Sequence, residues 1–232
     1  MADGRVASGA VLGRVRVVRK ASVEERRNEI LETTCLVVIE RGFAATRVID
    51  VAQRLGVSTG LIHYHFDSKD HLLAEAFEYA ANTDLARLDA ELAKPGTAVE
   101  QLDRIFRLYT PADDDTGWLL WIDGWGEAIR SKALRRISQD LDLQWQERVE
   151  DVIRLGVEAG EMTCADPHAS AWRLAALIDG LGVPMAVHDG VVTESELLAW
   201  VRTAACSELG LPAGAFESAK PARTRRTRPT TT

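Results

Sequence analysis

Val48-Ile-Asp-Val-Ala-Gln-Arg-Leu-Gly-Val-Ser-Thr-Gly-Leu-Ile-His-Tyr-His-Phe66 is the stretch on which the reading of this chain turns. Its spacing predicts two short helices, over about 48–55 and 58–65, joined at Gly56. Ala52 stands where the first helix has to pass close to the second, so only a small side chain fits there. Gly56 follows four residues later, in a turn that needs a positive φ, which glycine adopts without a Cβ clash. Ile62, six residues further on, faces back into a core with Val51 and Leu55. Ser58 is placed to cap the second helix. This is the spacing of a helix-turn-helix, whose second helix enters a DNA major groove by its N-terminal residues. An ordinary pair of short core helices has the same spacing, so this stretch alone leaves both readings open.

Outward from this stretch almost everything reads as helix. Ser22 and Glu25 form a capping-box pattern ahead of Ile30, Leu31, Thr34, Val37, Val38 and Arg41, which keep helical spacing up to Gly42. Ser68 is the expected N-cap of a long helix reaching Ala93, where Pro95-Gly96 breaks it. Further helices are expected near 97–109, 116–130, 133–159, 167–188 and 194–209. Pro111 with Asp113, Asp114 and Asp115, then Gly160, then Asp189-Gly190 supply the stops. No alternating strand pattern and no fixed-period repeat is present. The expected fold is all-α, with about nine helices: an N-terminal three-helix helix-turn-helix unit over 22–73 and a larger helical domain over 74–210. Residues 1–21 read as a flexible basic arm. Residues 211–232, rich in Pro, Ala, Thr and Arg, read as a disordered basic tail.

Charge is unevenly distributed. The chain carries a net −7, made up of +2 over residues 1–73, −13 over 74–210 and +4 over 211–232. An acidic body with a mildly basic N-terminal third allows phosphate contact on one face and discourages it elsewhere. No apolar run approaches the ~20 residues of a membrane span, and no secretory signal pattern is present, so no membrane partner and a cytoplasmic location are expected. Cys35, Cys164 and Cys206 are few and far apart, which fits a reduced compartment better than a disulfide framework or a zinc site.

Beyond Phe66 the sequence continues Asp67-Ser-Lys-Asp-His-Leu-Leu73, and before Val48 it has Gly42-Phe43 and Thr46. Together with Tyr64-His-Phe66 these residues resemble the tetracycline-repressor (TetR) family, continuously over 26–73. Trp118-Leu-Leu-Trp-Ile-Asp-Gly-Trp125, Ala175-Ala-Leu-Ile-Asp-Gly-Leu181 and Ser58-Thr-Gly-Leu-Ile62 resemble the BetI-like branch of that family. The resemblance implies a regulator, by family default a repressor, that binds a palindromic operator in double-stranded DNA as a homodimer and is released by a small-molecule effector. It leaves that effector unidentified. The expected DNA-binding residues are Thr46, Arg47, Ser58, Thr59, Gly60, His63, Tyr64 and Lys69. Thr59 offers a hydroxyl to a base edge or phosphate and a methyl to thymine, and Gly60 lets the helix approach the duplex. Tyr64 is the expected phosphate or base contact and Lys69 the expected phosphate contact. The family has Ser or Thr where this chain has Arg47, so Thr46 is expected to cap the first short helix from one residue earlier. His63 and His65, two apart on a helix, point to different faces and do not make a metal site.

In the acidic body, Ala171, Leu174, Ala175, Ile178, Leu181 and Gly182, with Leu197, Leu198, Val201, Ala204 and Ala205, are either interior or, as the resemblance implies, a dimer interface. Trp118, Trp121, Ile122, Trp125 and Ile129 share one helical face, with Asp123 and Glu127 opposite. That stripe is either core or the wall of a ligand pocket, to which Phe106, Tyr109, Trp172 and Asp179 are further candidates. No cofactor is expected. No zinc spacing, phosphate loop or nucleophile elbow recommends an enzyme. The alternatives are a helical protein-interaction module or an activator without small-molecule induction.

Overall fold

The computed structural model describes residues 22–111 and 116–217, with the side chain of Thr116 excepted. Among the described residues there are nine helices and no strand: α1 (Val23–Arg41), α2 (Val48–Leu55), α3 (Thr59–His65), α4 (Lys69–Leu92), α5 (Ala98–Tyr109), α6 (Thr116–Ala128), α7 (Lys132–Glu158), α8 (Pro167–Val187) and α9 (Glu194–Glu208).

Local chemistry sets most of these boundaries. Ser22 and Glu25 close a reciprocal capping box at the start of α1, and Gly42 ends the helix at φ +81°. Gly56 takes the left-handed conformation between α2 and α3. Ser58, Ser68, Thr97, Ser131, Asp166 and Thr193 each accept a backbone N–H in the first turn of the helix they precede. All five later helices expected from sequence are present within a residue or two of their expected ends.

The first three helices pack around Ile30, Val37, Val38, Phe43, Val51, Ala52, Ile62 and Phe66, all buried. They rest on α4, which at 1.5 Å per residue is about 36 Å long. Arg27 of α1 pairs with Glu75 of α4 and lies over the Phe66 ring, 4.9 Å from its centroid. Tyr79 of α4 donates its hydroxyl to Glu32 at 2.6 Å. The boundary drawn between 73 and 74 falls inside α4, where Leu73 and Ala74 are both buried, so the helix runs unbroken from one unit into the other. In the body, α7 packs against α4, α5, α6 and α8. Arg148 of α7 forks onto Asp89 of α4 at 2.6 and 3.0 Å. Buried Asp103 of α5 accepts from Arg107 and from Arg202 of α9.

Three expectations are corrected. The chain does not lose its structure after Gly210: Phe216 is buried and packs on Phe106 with ring centroids 5.7 Å apart, so residues 211–217 belong to the packed body. Composition missed this because one aromatic anchor suffices to hold a short Pro/Gly segment. Ile129 is not on the tryptophan face; α6 ends at Ala128, and Ile129 sits in the following turn, 72% exposed. Finally, Ala171, Leu174, Ala175, Ile178 and Gly182 of α8 and Leu197, Leu198, Val201 and Ala205 of α9 are buried within the protomer, and Leu181 and Ala204 are partly buried. They are interior residues. The outward apolar face of these helices carries Trp172 and Trp200 instead, both exposed. The N-terminal arm, residues 218–232 and the Asp113–Asp115 stop lie outside the described residues.

Candidate DNA-reading surface and aromatic cavity

The α2–α3 pair presents α3 outward. Ile62 holds it to the core while Gly60, His63 and Tyr64 are exposed, Tyr64 by 74%. The Tyr64 ring is braced edge-on by His65, with centroids 5.1 Å apart. Ser58 spends its hydroxyl oxygen on the Leu61 N–H, and Thr59 beside it is half-buried. A Cβ at Gly60 would meet only Ser58 Oγ, at 3.7 Å. Nothing inside the protein therefore demands glycine there.

The entry to α2 differs from the expectation. Thr46 does not cap the helix: its side chain is buried and its hydroxyl donates back to the Gly42 carbonyl at 2.8 Å, which removes it as a DNA contact. Arg47 is the N-cap residue. Its N–H is accepted by Asp50, and its guanidinium donates to the same carboxylate at 3.0 and 2.9 Å while remaining exposed. Lys69, at the first turn of α4, donates to the Ala44 carbonyl at 3.0 Å. An ammonium has three donors, so this bond aims the side chain and uses one of them.

A second site lies in the body. Tyr109 of α5, Trp118, Trp121 and Trp125 of α6 and Trp145 of α7 surround a cavity of about 290 Å³, near the lower end of the ~300–1,000 Å³ typical of small-molecule pockets. Centroid separations are 4.9 Å for Tyr109–Trp145, 5.8 Å for Tyr109–Trp118 and 5.8 Å for Trp121–Trp125. The stripe on α6 is thus a pocket wall. Asp84 and Arg87 of α4, Arg107 of α5 and Asp142 of α7 complete the lining. Burial and the nearby charge of Asp179 push the Asp142 carboxyl up to about 6, against the opposing pull of the Trp125 and Ser138 side chains. Asp179 lies behind the wall and accepts from the Tyr109 hydroxyl at 3.1 Å. Burial raises the Asp179 carboxyl, and burial with the Asp179 charge raises the Tyr109 phenol.

Of the pocket residues expected from sequence, Tyr109, Trp118, Trp121 and Trp125 line the cavity and Asp179 supports it. Phe106 does not: it is core, against Phe216. Trp172 does not either, because it projects from the outer side of α8 beside His168. Trp145, Asp84 and Asp142 were missed. Asp123 and Glu127 indeed lie away from the rings, but carboxylates from α4 and α7 fill the place they could not. A signal existed in Trp145 four residues after Leu141 on a helix with buried positions Leu134, Ser138, Leu141 and Val149. Among the described residues no cluster of His, Cys, Asp and Glu could hold a metal ion, and no helix is long and apolar enough to cross a membrane.

Comparison with known proteins follows the same division. Residues 30–76 match the model for bacterial regulatory proteins of the tetR family, and residues 98–210 match that for the C-terminal part of BetI-type transcriptional repressors. The chain is 27% identical over 166 residues to the transcriptional regulator BetI of Paraburkholderia xenovorans, covering 68% of this chain and 80% of that one. It is 30% identical over 175 residues to BetI of Burkholderia thailandensis, covering 72% and 85%. A crystal structure of a transcriptional regulator from Saccharomonospora viridis in complex with choline superimposes with a TM-score of 0.74 at 30% identity, covering 80% of this chain and 98% of that one. This chain belongs to the TetR family of bacterial regulatory proteins and is a DNA-binding transcriptional regulator.

Proposed function

We propose that the protein is a cytoplasmic repressor without catalytic activity that binds a palindromic operator as a dimer and is released by a compact organic cation of the quaternary-ammonium class. The observation that carries the effector class is the aromatic cavity. Four indoles and a phenol line a small volume that also receives the Asp84 and Asp142 carboxylates. Arg87, paired with Asp84, and Arg107 lie at its wall as well, which leaves Asp142 as the unpaired counter-charge among the described residues. Ring faces attract cations by ~2 kcal/mol or more per contact when desolvated, and a carboxylate at the wall supplies the counter-charge. The choline held by the similar regulator from Saccharomonospora viridis supports the same class.

On DNA, the N-terminal end of α3 enters a major groove, with Gly60, His63 and Tyr64 toward the duplex and Ser58, Arg47 and Lys69 toward phosphates. A twofold dimer sets two such helices one helical turn of DNA apart, about 34–36 Å. The exposed Trp172 of α8 and Trp200 of α9 are the surface offered to the second copy. Inclusion of a cation in the cavity acts through α6, and release requires the cation to bind the DNA-free state more tightly by the free energy it shifts.

The testing experiment is a calorimetric titration of the purified protein with choline and with its neutral carbon isostere, paired with mobility shifts on DNA from beside its own gene. Choline is expected to bind at least about tenfold more tightly than the isostere and to release the DNA. Equal affinities, or binding of neither, would remove the cation reading and leave the DNA-binding one in place.

A further inference from the structure

The body carries one run of basic residues without an acid among them, Arg130-Ser-Lys-Ala-Leu-Arg-Arg136, inside a segment whose net charge is −13. This run forms the corner between α6 and the start of α7. Its ion pairing is exceptional. Among the described residues Arg130, Lys132, Arg135 and Arg136 have no carboxylate within 4.0 Å. Lys69 and Arg104 share that condition; every other described arginine and lysine has such a partner. In an acidic body, cations left without carboxylates in one place are a surface suited to a polyanion.

Their location identifies the polyanion. A cleft of about 380 Å³ brings Arg130, Ser131 and Lys132 together with Phe43, Ala44 and Lys69, the corner that leads into α2 and the first turn of α4. The basic corner of the body thus adjoins the side of the molecule that faces DNA in the proposed docking. Two of its cations are anchored: Arg130 donates to the Gly126 carbonyl at 3.3 Å, and Arg135 to those of Ala128 and Ile129 at 3.0 and 2.6 Å. They complement the negative end of α6 and hold the corner still. Lys132 and Arg136 stand one turn apart on α7, both exposed, so their heads point to solvent from one side of the helix. Two acids, Asp70 and Glu127, also line the cleft and oppose the cations there, which places the anion outside the cleft, along Lys132 and Arg136.

We infer that the α6–α7 corner is a second contact for the DNA backbone, carried by the effector-binding body, with Lys132 and Arg136 reaching phosphates that flank those met by Lys69. The inference rests on the docking geometry proposed above. It makes α6 a link with the cavity along its length and a DNA contact at its end. Each phosphate neutralised releases counterions and adds about 0.9 to the salt slope of binding, whatever the base sequence.

The test uses the full chain and a mixed-sequence duplex, read by fluorescence anisotropy over a series of salt concentrations. Lys132→Ala/Arg136→Ala is expected to lower the slope by about 1–2 and weaken binding roughly tenfold at low salt, and Lys132→Glu/Arg136→Glu to weaken it further with an unchanged circular dichroism spectrum. Slope and affinity equal to those of the parent in both double variants would overturn the inference. Lys69→Ala, measured in parallel, separates the two ideas. If it weakens binding while the double variants do not, the docking stands and the corner contact falls. If only the double variants weaken it, the corner contact stands and the α4 contact falls.

Discussion

Asp123 of α6 accepts the backbone N–H of Phe43 at 2.7 Å, and its carboxylate lies 3.2 Å from where a Cβ on Gly42 would be. One carboxylate therefore ties the corner between α1 and α2 to the helix whose opposite face carries Trp118, Trp121 and Trp125. The glycine that ends α1 is also what admits the acid. The aromatic cavity and the DNA-reading unit thus bear on the two sides of one helix, the route by which the proposed effector would be coupled to DNA binding.

Asp123→Ala is expected to uncouple the sites more than it damages either. The unfolding free energy, followed by urea denaturation, should fall by about 1–3 kcal/mol for the lost partner of a partly buried N–H. Choline should still bind, while the ratio of DNA affinities without and with choline moves toward one. A ratio equal to that of the parent protein would show that the signal travels by another route.

Effector affinity should depend on pH through Asp142. Its carboxyl titrates at about 6 in the unliganded protein, so it is neutral below that pH and ionised above it, and only the ionised form attracts a cation. Choline affinity is expected to rise as pH increases through about 6 and then level off. Asp142→Asn should bind more weakly at high pH and give a flat profile. The other groups at this wall, Asp84, Arg87, Arg107, Tyr109 and Asp179, remain in the variant, so a persistent rise would assign the titration to one of them.

The two glycines of the reading unit should respond in opposite ways. Gly56 sits at φ +71°, and a Cβ there would have no neighbour within 4 Å, so Gly56→Ala meets only backbone strain, about 1–2 kcal/mol of stability. Gly60 has ordinary helical geometry, and Gly60→Ala should gain up to about 1 kcal/mol while weakening DNA binding, because in the proposed docking the added methyl would face the duplex. Thermal melts and mobility shifts on the same preparations check both. Gly60→Ala with undiminished DNA affinity would move α3 away from the groove.

Trp172→Glu/Trp200→Glu should convert the dimer to a folded monomer in sedimentation velocity runs and reduce operator affinity by at least about a hundredfold, since a single half-site is left to bind. The inward-facing Leu174 and Val201 are buried in the protomer, so replacing them should unfold the body before it separates dimers. A double variant that still sediments as a dimer would place the interface elsewhere.

The helices themselves were legible in the sequence. Caps such as Ser22, Ser58 and Ser68, stops such as Gly42 and Gly56, and the spacing of Val51, Leu55 and Ile62 act within a turn or two of the chain, so the residues that decide them are neighbours in sequence. The reading unit was legible for the same reason, since its core and its exposed Tyr64 lie within a few dozen residues. The cavity was not. Its α6 wall shows as a stripe of tryptophans, but a stripe looks alike whether a core or a void lies against it. Trp145, Asp84 and Asp142 enter from the separate helices α7 and α4, and their positions depend on how those two cross α6. Likewise, the small-residue face of α8 reads as a surface for a partner, yet Trp118 packs against Gly182 and consumes it. Short-range backbone chemistry decided where each helix begins and ends; only long-range packing decided which of their faces meet, and so where the aromatic cavity and the free surface are.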